Sequence, residues 1–136
     1  MSAERWYLAG PMHGIPQFNI PAFDATAAKL RAAGYDIVSP AELDDPGYRA
    51  ACLNSMGNQL PDAKTTWGDL LARDVKLIAD EVTGIILLPG WTKSRGARLE
   101  VMVGLLTGKV FCEWLAGVAK PVAQAYIRSD LARNMP

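Results

Sequence analysis

Glu100 stands in the run Arg95-Gly96-Ala97-Arg98-Leu99-Glu100-Val101-Met102-Val103-Gly104, with one glycine four residues before it and another four after. On a helix those three positions share a face. A glycine inside a helix costs roughly 1 kcal/mol relative to alanine, so two of them around one acid call for a reason. They can clear space beside a carboxylate that acts as nucleophile or base. Equally, Gly96 can be a loop-to-helix residue and Gly104 a point of close packing on a sheet. Glu100 is then an ordinary acid near a helix start, favoured there by the helix dipole. The residues alone leave both readings open.

Asp74 poses a related question. It lies four residues after Leu70 and four before Ile78, inside or beside an apolar stripe. An ionised carboxylate buried without partners is costly. Either it sits at the rim, paired with Arg73, Lys76 or a backbone amide, or it serves a site. Upstream of Glu100, the run Gly90-Trp91-Thr92-Lys93-Ser94-Arg95-Gly96 leads into the helix. Free backbone N–H groups at such a start attract anions, and Ser94 and Arg95 can add contacts to a phosphate. Ser94 is also a routine N-cap. Trp91 is suited to stacking on a base, or to filling core.

These residues need elements to position them. Arg5 to Ala9 reads as a short strand, stopped by Gly10-Pro11. Asn19 and Pro21 open a helix whose stripe is Phe23, Ala27, Leu30 and Ala33, and Gly34 closes it. Tyr35 to Val38 is a second strand, which makes a parallel crossover unit. Residues 39–66 form a polar, turn-rich insertion or lid with a short helix near Tyr48 to Asn54. Helical spacing returns from Trp67, followed by a buried central strand over Val82 to Leu88, a helix over Ser94 to Thr107 and a strand at Val110 to Cys112. The tail from Val122 to Arg133 reads as helix. The whole predicts one α/β domain over residues 1–136: a small parallel, Rossmann-like (flavodoxin-like) sheet flanked by helices on both faces. Ligands of such sheets bind beyond the carboxyl ends of the strands, which directs attention to the loops after Ala9 and Leu88.

Composition narrows the partners. The 136 residues carry 14 Lys and Arg against 14 Asp and Glu, for a net charge of +0, with no basic cluster. Duplex nucleic acid, which needs a basic surface, is not expected. One histidine and two cysteines, Cys52 and Cys112, supply too few ligands for a zinc site, and no metal is expected. There is no bilayer-length apolar run, and Met1-Ser2-Ala3-Glu4-Arg5 lacks a signal-peptide layout. A soluble cytoplasmic protein acting on a small molecule is the expectation.

Taken together, Tyr7-Leu8-Ala9-Gly10-Pro11-Met12-His13-Gly14, Asp74 in a helix ending Ile78-Ala79-Asp80, and Ser94-Arg95-Gly96 before Glu100 resemble the nucleoside 2-deoxyribosyltransferases and the related deoxynucleoside 5′-monophosphate N-glycosidases. The likeness is nearest to an uncharacterised, often phage-encoded branch of that superfamily, through Asn19 to Phe23, Pro40-Ala41-Glu42 and Leu88-Pro89-Gly90-Trp91. It extends in short blocks from residue 6 to residue 112. The resemblance implies that Glu100 is the nucleophile at the anomeric carbon, that Asp74 assists proton transfer and that Tyr7 orients the nucleophile. It places Gly10, Pro11, Met12, His13 and Gly14 against the nucleotide, and Ser94 and Gly96 at a 5′-phosphate. Trp91 and Arg95 belong to the uncharacterised branch and carry no inherited role.

The expected function is therefore cleavage or exchange of the N-glycosidic bond of a 2′-deoxynucleoside or its 5′-monophosphate, with no organic cofactor. Ser94 and Arg95 favour the phosphorylated substrate. The resemblance further implies a homodimer or larger homo-oligomer, with which the apolar tail residues Trp114, Leu115, Tyr126 and Ile127 are compatible, as they are equally with packing inside the monomer. A non-catalytic nucleotide-binding or sensing module differs by binding ligand without releasing base. A scaffold protein differs by doing neither.

Overall fold

The computed structural model describes residues 4–61 and 64–136. Five strands form one sheet in the order β2-β1-β3-β4-β5, where β1 is Trp6–Ala9, β2 Ile37–Val38, β3 Gly84–Leu87, β4 Val110–Leu115 and β5 Val118–Val122. The pairs β1–β2, β1–β3 and β3–β4 are parallel. The flavodoxin-like strand order puts the topological switch between β1 and β3, where ligand crevices open in doubly wound sheets.

Both β1 and β3 are buried along their whole length, as central strands covered on two faces must be. Alternation of side chains sorts them into two cores. Trp6, Leu8, Ile86 and Leu88 face α1 (Ile20–Ala32), which contributes Ile20, Phe23, Ala27 and Leu30. Tyr7, Ala9, Ile85 and Leu87 face the other way, onto Ile78 of α3 (Trp67–Glu81), Ala97 and Val101 of α4 (Arg95–Leu106), and Ile127 and Leu131 of α5 (Gln124–Arg133). Helices thus cover both faces, as the alternation of elements predicts.

Residues 39–61 are more ordered than a turn-rich insertion suggests. A 3-10 turn over Pro40–Glu42 leads to α2 (Pro46–Leu53), which Asp45 caps by accepting from the Tyr48 amide at 3.0 Å. Proline at the first helical position completes that start. Asp62 and Ala63, part of the same insertion, lie outside the described residues.

Two expectations are corrected. The sheet is mixed, because β5 pairs antiparallel with β4 through the two-residue turn Ala116-Gly117, where both φ angles are positive (50° and 79°). Such a turn matches strand twist, and Gly117 takes the left-handed geometry without strain. The tail helix accordingly begins at Gln124, and Val122 ends a strand. Ile127 packs within the chain at 0 % exposure and offers nothing to a partner, whereas Tyr126 beside it is half exposed. Asn19 and Pro21 do open α1, with Asn19 at the N-cap position, although its side chain makes no capping bond to the helix. Asn19 adopts a left-handed backbone (φ 59°), and its side chain donates to the Pro11 carbonyl at 2.8 Å, tying down the loop after β1. Among the described residues no helix is long and apolar enough to cross a membrane.

Candidate active site

Tyr7, Asp74 and Glu100 arrive from three elements at the carboxyl end of the sheet. Tyr7 is the second residue of β1 and points to the face that α3 and α4 cover. Asp74 lies on the buried side of α3, and Glu100 on the buried side of α4, with α3 and α4 in contact. The Tyr7 hydroxyl donates to Glu100 Oε2 at 2.5 Å. Asp74 accepts from Arg73 Nε at 3.0 Å, and the same guanidinium reaches Asp44 Oδ1 at 2.8 Å through Nη1.

All three groups are nearly or wholly shielded from solvent, and their protonation reflects it. Burial pushes the Glu100 carboxyl well above the usual carboxylate range, and the nearby Asp74 charge pushes it further, against the Tyr7 hydrogen bond. Burial also raises Asp74, though the Arg73 charge and hydrogen bond oppose the rise. Tyr7 is held well above its ordinary value by burial and by both carboxylates, so it remains a donor. The two carboxyl groups thus keep their protons to higher pH than exposed carboxylates do, beside a phenol that stays protonated.

With Tyr7 buried behind Glu100, Asp74 and Glu100 open onto a cavity. Its floor is Gly10, Met12 and His13 from the loop after β1, Ser94, Gly96 and Ala97 from the start of α4, and the two carboxylates. Its roof and sides are Pro40, Asp44, Tyr48, Cys52 and Leu60 from residues 40–60, with Trp67, Leu70 and Leu71 of α3. The lining is mostly apolar with a few convergent polar groups, the composition of small-molecule sites. Ser94 caps α4 by accepting from the Ala97 amide at 3.2 Å, leaving its own proton free to donate. Gly96 lines the cavity beside the Trp67 ring, which a Cβ there would touch in ordinary van der Waals contact at 3.5 Å. Among the described residues no group of three or more His, Cys, Asp or Glu is placed to hold a metal ion.

The family described as a domain of unknown function, DUF4406, matches residues 4–112. The chain belongs to the DUF4406 family. No curated protein and no solved structure matches it. The matched DUF4406 span contains Tyr7, Asp74 and Glu100 and the whole cavity lining, and ends in β4, before β5 and α5.

Within this DUF4406 domain the structure brings together Tyr7, Gly10, Met12, His13, Asp74, Ser94, Gly96 and Glu100. Tyr7 joins the site through Glu100 without lining the cavity, and four further residues of the sequence-based set lie away from it. Pro11 borders a separate groove beside α1, and Gly14 and Arg95 are exposed outside the cavity. Trp91 is core: it is 3 % exposed and packs with Leu87, Ala97 and Ile127, so it has no face free to stack on a base. Gly104, too, has a packing reason, since a Cβ there would stand 2.5 Å from Ile85 Cδ1. Of the two glycines around Glu100, only Gly96 serves the cavity.

Sequence reasoning missed Asp44, Tyr48, Cys52, Leu60 and Trp67. In the sequence Trp67 reads only as the start of a helical stripe. It heads α3 with its ring 42 % exposed, edge-on to His13 at a centroid distance of 6.1 Å. Asp44 and the α2 residues carry no motif, and only the folding of residues 40–60 over the pocket brings them in.

Proposed function

We propose that the chain cleaves or exchanges the N-glycosidic bond of a 2′-deoxynucleoside or its 5′-monophosphate. The observation that carries this reading is the buried Glu100 carboxyl, oriented by the Tyr7 hydroxyl beside a second buried carboxyl, Asp74. Retention through a covalent glycosyl–enzyme intermediate uses two carboxyl groups of this kind.

In the first half of the reaction a Glu100 oxygen attacks the anomeric carbon, and the carbon–nitrogen bond breaks with its electron pair leaving on the base. The protonated Asp74 donates its proton to that base, which departs neutral. In the second half water or a free base attacks the same carbon. Asp74 takes up the proton of the incoming group, and Glu100 leaves as carboxylate. Burial suits Asp74 to the first role by keeping its carboxyl protonated to higher pH. The Tyr7 hydrogen bond favours the Glu100 anion that must attack. Ser94 and the amides opening α4 fit the 5′ side of the substrate, and membership of DUF4406 fits the likeness to the deoxyribosyltransferase superfamily.

The test is a panel of deoxynucleosides and their monophosphates, incubated with and without free base and followed by chromatography, with Glu100→Gln alongside. Release of base by the wild type and not by the variant marks a glycosidase, and exchange that requires added base marks a transferase. No turnover with ligand still bound would sink the catalytic reading and leave a binding module.

A further inference from the structure

Asp74 belongs to a second arrangement besides the carboxyl pair. Arg73, its neighbour on α3, is half buried and forks between two carboxylates: Nε meets Asp74 Oδ1 at 3.0 Å and Nη1 meets Asp44 Oδ1 at 2.8 Å. Its remaining nitrogen, Nη2, lies 3.5 Å from the Pro40 carbonyl. Asp44 stands in the roof segment before α2, and Arg73 itself lines the cavity with Asp44, Asp74 and Glu100. Only a planar guanidinium with donors on separate nitrogens meets both carboxylates at once.

We propose that Arg73 is the positioning residue for Asp74: it clamps that carboxylate between α3 and the roof segment at Asp44, and so enables Asp74 to take up a proton as well as give one. The role rests on the glycosidic reading, but the clamp can be tested apart from it. Every charged or titratable group facing Asp74 has a defined sense. Glu100 from α4, Asp44 from the roof and the hydroxyl of Tyr7 from β1 surround it, with His13 on the same cavity wall, and Arg73 is the guanidinium in contact with it. Burial favours the protonated carboxyl, which can donate once but not accept again. Arg73 opposes that bias.

The experiment is a carboxyl titration by NMR on protein labelled at aspartate, in the Glu100→Gln background so that Asp74 does not titrate jointly with Glu100. Asp74→Asn assigns the signal. Arg73→Met should raise the Asp74 midpoint by about one pH unit or more, a tenfold change in proton affinity. Arg73→Lys, which keeps the charge but cannot span both partners, should fall between. Asp44→Asn retains an acceptor for the guanidinium while removing a neighbouring negative charge, so its midpoint should move down. A merely structural Arg73 gives no such opposed shifts. An unmoved midpoint in folded Arg73→Met overturns the proposal, and the Lys and Asn variants decide it if the Met variant does not fold. Absence of turnover on the substrate panel would overturn the glycosidic reading and leave this titration still decisive for the clamp.

Discussion

Glu100 is a carboxyl group that the fold surrounds with apolar side chains, a second carboxyl and one phenol, and its replacement has opposite consequences for activity and stability. Its pKa is raised in the folded chain, so the folded state keeps the proton to higher pH than the unfolded state does. The stabilising effect of that proton is fully present below the ordinary carboxylate value and is lost as pH rises through the raised one. Above that range an anion is buried at a cost. Glu100→Gln retains an acceptor for Tyr7 and carries no charge. We expect it to abolish turnover while melting higher than wild type above neutral pH, by ~4 °C for each ~1 kcal/mol gained in a chain of this size. The two melting curves should converge in acid, and calorimetry from below the ordinary carboxylate value into the alkaline range shows whether they do. Tyr7→Phe acts on the same group from the other side. Losing the donor removes a hydrogen bond to a charged acceptor, which is worth ~1.5–3 kcal/mol. We expect kcat to fall roughly 10- to 100-fold on that basis, and the acid limb of the pH–rate profile to move upward. An unchanged acid limb would show that Glu100 is not the group whose ionisation the rate follows.

At the scale of elements, the site depends on α4 lying close against the sheet, and Gly104 permits that approach. An added Cβ would stand 2.5 Å from Ile85 Cδ1 and 3.0 Å from Phe111 Cζ, and both side chains are buried. We expect Gly104→Ala to destabilise by about 1–3 kcal/mol, the usual cost of overpacking a core. It should lower the denaturant midpoint with little change in slope, and a variant as stable as wild type would show that α4 has slack there. This packing role could not be read from the sequence, where Gly96 and Gly104 look symmetric about Glu100. What tells them apart is which neighbour each faces, the Trp67 ring or the sheet. The strand and helix pattern through Leu106 was legible because periodicity and Gly-Pro punctuation agree along it. The β4–β5 hairpin was not, since Ala116-Gly117 lacks the asparagine or aspartate that usually marks such a turn, and Pro121 argues against any but an edge strand. Asp74 stood out because an apolar stripe rarely accommodates a carboxylate without reason, Glu100 because two glycines bracket it on one face, and Tyr7 only through the family resemblance. Arg73 was legible as a partner for Asp74, which it is, but its reach to Asp44 was not, because an ion pair across 29 residues leaves no local mark. Trp91 shows the converse error: a tryptophan beside a site in sequence can face away from it in space.

At the scale of the whole molecule, the cavity joins parts of unequal strength. Its floor is set on β1, α3 and α4, whose buried residues share the core with the central strands. Its roof, residues 40–60, is fastened to the loop after β1 by a short series of bonds. The Gly14 amide donates to the Gly57 carbonyl at 2.8 Å, the Gln17 amide to the Ser55 carbonyl at 2.9 Å, and Gln17 Nε2 to the Leu53 carbonyl at 2.8 Å. Gly57 is the tightest point of this seam. Its φ is +78°, and a Cβ would stand 1.9 Å from the Ile15 carbonyl oxygen, so no side-chain rotation relieves the clash. Gly57→Ala must therefore open the seam locally, while the sheet keeps every contact it has. Local opening and global unfolding are separable in hydrogen exchange, because regions with few buried contacts open at much lower free energy than the core. We expect exchange to accelerate across residues 46–60 in Gly57→Ala, with amides of β1 and β3 slowed or quickened by no more than the small change in global stability. Nucleotide binding to a Glu100→Gln, Gly57→Ala double variant should weaken relative to Glu100→Gln alone, since the roof supplies Asp44, Tyr48, Cys52 and Leu60 to the cavity. Acceleration spread evenly over roof and sheet would mean that the two unfold as one unit. The cavity would then be a fixed part of the core and would need no roof movement to admit a ligand.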